Sequence, residues 1–170
     1  MYKKVLYLEL VLIIIFNLKM LNKTIILFLS IIIISCTTQK HLSTGEVIFK
    51  SPTEQGTILV SSAGYGSSRS ESINSSELNA FNSIIFKGVP GSQYSLPLVE
   101  DEKKAKSEHS EFFNTFFTNG GYKAFLMETT PITEFNYHKG LANIKCLIKI
   151  NVASLRREFE TNNIIRKFGY

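Results

Sequence analysis

Tryptophan is absent from this 170-residue chain, cysteine occurs twice, histidine three times and aspartate once, at Asp101. Two cysteines make neither a disulfide framework nor a thiolate zinc cage. His41, His109 and His138 have no short metal-ligand spacing between them. A serine–histidine–aspartate triad would have to draw on Asp101 or a glutamate, and no G-x-S-x-G elbow is present. No period of tens of residues repeats, which excludes a solenoid, and long apolar runs are too few for a polytopic membrane protein. What is abundant is apolar material. A hydrophobic content of 44% with 13 phenylalanines excludes intrinsic disorder, and the length accommodates one domain plus a targeting segment.

The net charge of +5 is unevenly placed. Residues 1–35 contribute +3, from Lys3, Lys4, Lys19 and Lys23 against Glu9, and residues 36–170 only +2. The basic balance is therefore mostly a property of the amino terminus. Without a basic patch interleaved with aromatics, or a recognisable motif, no nucleic-acid partner is expected.

The most informative segment is Met20-Leu21-Asn22-Lys23, followed by the run TIILFLSIIII from Thr24 to Ile34 and then Ser35-Cys36. A short positive start, eleven mostly apolar residues and a small residue before a cleavage point are the architecture of a secretory signal, too short for a comfortable span. Ile33-Ile34-Ser35-Cys36 resembles the bacterial lipobox. That resemblance implies cleavage between Ser35 and Cys36, a diacylglyceryl thioether on Cys36 and acylation of the new amino group. Several acyl chains on one residue anchor stably where a single chain does not. Residues 36–44 then read as a lipidated tether. The competing reading is a transmembrane anchor with an incidental cysteine. Val5–Phe16 is a second apolar run, interrupted by Glu9 and too short to span alone. It is read as untranslated sequence upstream of a true start at Met20, the rival being a membrane hairpin.

Residues 45–170 are expected to form a single α+β domain, a small, mainly antiparallel sheet packed against two main helices and a short C-terminal helix. Gly45–Lys50 reads as a strand or lead-in, Ser51–Gly56 as a turn, and Thr57–Ser62 as a strand ending in an Ala63-Gly64-Tyr65-Gly66 turn. Ser68 and Glu71 have capping-box spacing. The helix after them carries Ile73, Ala80 and Ile84 on one stripe with Leu78, Phe81 and Ile85 beside it, and stops at Gly88 and Pro90. A loop over Val89–Pro97 leads to a second helix expected from about Asp101 to Asn119. Phe112, Phe113, Phe116 and Phe117 share one broad face of it, read as core, and Asn119-Gly120-Gly121 ends it. Tyr122–Thr130 reads as a strand that Pro131 interrupts. Leu141–Val152 is the clearest strand, with Ala142, Ile144, Cys146, Ile148, Ile150 and Val152 on one face. Cys146 is thus a small buried hydrophobe. Ser154–Thr161 closes with a helix, and the tail from Ile164 to Tyr170 reads as an edge strand or a segment docked on the sheet.

No constellation of side chains carries chemistry. Gly64-Tyr65-Gly66 before a helix lacks the third glycine of a dinucleotide loop, because position 69 is Arg. An anion held there by free amides and Arg69 is the weaker alternative to a turn. Glu100-Asp101-Glu102, followed at once by Lys103, Lys104 and Lys106, suits a solvated helix start. No catalytic residue, metal or cofactor is expected.

The lipobox, the Ala63-Gly64-Tyr65-Gly66 segment and the helix after it resemble small bacterial outer-membrane lipoproteins. Residues 57–88 are similar to the amino-terminal α/β domain of flagellar assembly protein T, although only Ala80 represents that family's recurring helix alanines. The ending from Leu155-Arg156-Arg157 to Phe168-Gly169 looks like uncharacterised lipoproteins of low-GC Gram-negative bacteria. The resemblance implies a non-catalytic role in, or accessory to, an envelope assembly, with a membrane and an envelope protein as partners. Thr37 after the lipidated cysteine implies the outer membrane, facing the periplasm. Two functions follow. A structural or assembly protein needs an exposed apolar patch or an unpaired sheet edge. A small-ligand-binding module or cryptic hydrolase needs a pocket, walled by the Phe112–Phe117 face, with a titratable group inside.

Overall fold

The computed structural model describes residues 46–52, 54–138 and 141–167. The elements run β1 (Val47–Pro52), β2 (Thr57–Gly66), α1 (Arg69–Phe86), α2 (Glu102–Glu108), α3 (Ser110–Phe113), a π-helical turn (Asn114–Thr118) and a 3₁₀ turn (Gly121–Phe125). They continue with β3 (Leu126–Pro131), β4 (Asn136–His138), β5 (Leu141–Asn151) and α4 (Val152–Thr161). The class is α+β, as the sequence predicts.

The sheet is antiparallel throughout, in the order β1-β2-β5-β3, with β4 pairing the other end of β5. Its long central pair runs from Thr57 opposite Asn151 to Gly66 opposite Ala142. Period-two alternation sets the register: Ile144, Cys146, Ile148 and Ile150 are fully buried, opposite Gly64, Ser62, Val60 and Ile58. Burying each of those isoleucines contributes ~1.5–3 kcal/mol, and a one-residue slip would turn all of them outward. The other face carries Asn143, Lys145, Leu147 and Lys149 of β5, with Leu59 and Tyr65 of β2 and Ile48 of β1 in register beside them.

The predicted turn at residues 63–66 is corrected. These residues continue β2 and pair with Lys145, Ile144, Asn143 and Ala142. The two glycines serve close packing. A Cβ on Gly64 would run into the Ser72 carbonyl oxygen and the Ser76 amide, and one on Gly66 would lie 2.8 Å from Glu71 Cβ. Helix α1 therefore crosses β2 at backbone distance, with Ser72 and Ser76 buried against the strand. β1 begins at Val47, opposite Ser62. Beyond that point helix side chains serve the edge of β2: Asn79 Nδ2 donates to the Ala63 carbonyl at 2.8 Å and the Tyr65 amide donates to Ser75 Oγ at 3.3 Å.

Ser68 caps α1, accepting from the Glu71 amide at 3.2 Å. The reciprocal half of the expected capping box is displaced by one residue, since Glu71 Oε2 takes the Ser67 amide at 2.8 Å and the Ser67 hydroxyl at 2.6 Å. At the other end Gly88 (φ +76°) turns the chain out of the helix. The returning strand-like segment then caps it, with the Leu98 amide donating to Ile84 O and the Val99 amide to Ile85 O. These are helix-end carbonyls that would otherwise lack partners.

The expected single helix over 101–119 is broken. Asp101 caps α2, its Oδ1 accepting from the Lys104 amide at 2.9 Å, but His109 (φ −122°, ψ 41°) leaves helical geometry. The chain resumes in α3 and widens into the π turn before Asn119 and Gly120 (φ +79°) end it. All four phenylalanines nevertheless enter one ring cluster. Phe112 stacks on Phe116 and Phe113 on Phe117, and Phe159 of α4 meets Phe112, Phe113 and Phe116 edge-on. The strand expected from Tyr122 starts at Leu126, because the 3₁₀ turn draws Tyr122 inward, where its ring sits 5.2 Å from Phe81. Val152 belongs to α4 rather than to the preceding strand, since Asn151 Oδ1 caps that helix by accepting from the Ser154 amide at 2.9 Å. The tail is not an edge strand as far as residue 167. Ile164 and Ile165 dock against the core, and both amides donate to the Phe159 carbonyl.

Candidate functional site

Cys36, the Ser35–Cys36 cleavage point, Met20 and His41 lie outside the described residues. His109 is half-buried at the break between α2 and α3, its amide donating to Ala105 O and its carbonyl accepting from the Phe113 amide. His138 ends β4, opposite Leu141. Among the described residues no group of three or more His, Cys, Asp or Glu side chains is placed to hold a metal ion.

At the start of α1, where an anion site is conceivable, the chain places its own carboxylate on the residue before the cap. Glu71 bonds the Ser67 amide and hydroxyl, and these bonds hold its carboxyl below the usual range. Arg69 stands exposed beside it. The acidic run is equally local: Asp101 caps α2, and Glu102 pairs with Lys106 at 2.6 Å one turn on.

The polar groups that converge in the interior were not foreseen from sequence. Glu77, only 5% exposed, accepts from the Thr129 hydroxyl at 2.8 Å and the Tyr122 hydroxyl at 3.1 Å. It thereby joins α1 to β3 and to the 3₁₀ turn. Burial first, then the Glu77 charge and hydrogen bond, pushes the Tyr122 phenol well above its ordinary value. Cys146 lies on the same inner face, fully buried. Burial pushes its thiol up, opposed by a hydrogen bond from Ser76. This thiol has no route to a substrate and fits the reading of a buried hydrophobe. The signal for Glu77 was present in the sequence. It falls four residues after Ile73 and three before Ala80, on the apolar stripe of α1.

Among the described residues the phenylalanine face is filled by its own ring cluster, in which Phe113 and Phe116 are 4% and 3% exposed. A depression does lie elsewhere, lined by Phe49, Thr57, Ile58, Gly91, Ser92 and Gln93, with a volume of about 240 Å³. That is below the ~300–1,000 Å³ usual for small-molecule sites. Its hydroxyls are also turned to local carbonyls, Thr57 Oγ1 to Glu54 O and Ser92 Oγ to Val89 O, both at 2.7 Å. Among the described residues no helix is long and apolar enough to cross a membrane.

Comparison with protein-family models, with curated proteins and with solved structures finds no match for this chain.

Proposed function

We propose that the chain is a lipid-anchored bacterial envelope protein, held in the outer membrane facing the periplasm, with a non-catalytic structural, assembly or interaction role. The observation that carries this reading is the sequence Met20–Cys36, in which a positive start, eleven mostly apolar residues and a small residue lead to cysteine. Three acyl chains on Cys36 would anchor the domain stably. The local use of polar groups supports the non-catalytic part. Asp101, Glu71 and Glu102 serve helix starts, Glu77 clamps three elements together, and Cys146 is sealed.

The test is intact mass combined with membrane fractionation of the natively expressed protein and its Cys36→Ala variant. The expected result is a membrane-bound species beginning at acylated Cys36, replaced in the variant by an unacylated chain. A wild-type chain that retains residues 1–35 overturns the lipoprotein reading and the outer-membrane placement with it.

A further inference from the structure

We draw no further inference here: the strongest candidate, the depression between Phe49 of β1, Thr57 and Ile58 of β2 and the loop after α1 at Gly91, Ser92 and Gln93, carries none, because nothing in the structure shows what covers it.

Discussion

The first turns of α1 press Ser72 and Ser76 onto Gly64 and Gly66 at backbone distance. The last turns carry Phe81, Ile84, Ile85 and Phe86 into a cluster of rings with Phe113, Phe116 and Tyr122. One helix thus meets the rest of the domain in two ways. In the first half the fit is defined by side chains that are missing, so the separation between helix and strand is set by backbone contact. In the second half the separation is set by the volume of large side chains. The first region should be intolerant of addition and the second of removal.

The largest effect is expected from the second region. Phe81 is fully buried, with Phe116 and Tyr122 ring centroids 6.0 and 5.2 Å away. Phe81→Ala should cost ~3–5 kcal/mol by urea denaturation, because the surrounding rings collapse only partly into the cavity. A cost below ~1 kcal/mol would show that these rings repack freely. Gly64→Ala is the converse test and should cost ~3 kcal/mol, the upper end of the usual overpacking range, because the added methyl meets backbone atoms of Ser72 and Ser76. If Gly64→Ala leaves the denaturation midpoint unmoved, α1 slides on β2 and the contrast between the two halves dissolves.

The smallest expected effect lies where the two halves join, at Glu77 and Tyr122. Tyr122→Phe leaves the buried carboxylate short of one donor, a loss of ~1–3 kcal/mol at neutral pH. The same tyrosine gives the wild type an alkaline dependence. Its phenol is raised from an ordinary value of about 10, so above that pH the unfolded chain releases the proton while the folded chain keeps it. The stabilisation is therefore complete below about pH 10 and falls as pH rises further. Denaturation midpoints measured from about pH 8 to about pH 11, across the tyrosine range, should decline less steeply in Tyr122→Phe than in wild type. Parallel declines would remove Tyr122 from the account.

Much of this architecture was legible where one local signal dominates. The cap at Ser68, the stop at Gly88, the phenylalanine face and the inward set of β5 all follow from chemistry within one element. The failures share a cause of the opposite kind. Gly64 and Gly66 carry turn composition, and only the helix folded back over them explains why a strand needs glycine there. Tyr122 reads as a strand residue by propensity, yet its place is set by Glu77, 45 positions away. The break at His109 lies within a helical pattern that gave no sign of it. For the candidate site the balance is reversed. The proposed lipidation segment is read from sequence alone, and Cys36 lies outside the described residues.

The serine and asparagine that α1 sets against β2 bear on self-association. An exposed strand edge is a template on which another chain can add a strand. β1 is interrupted by a bulge between Phe49 and Ser51 and ends in Pro52, and β3 by a bulge between Leu126 and Glu128 and ends in Pro131. The stretch of β2 that runs past β1 has neither a proline nor a bulge. There, Asn79 and Ser75 already engage the backbone groups of Ala63 and Tyr65 that a foreign strand would seek. Wherever copies of the chain meet at high local concentration, as on a membrane surface under the lipid-anchored proposal, that edge is closed to fibril-like growth.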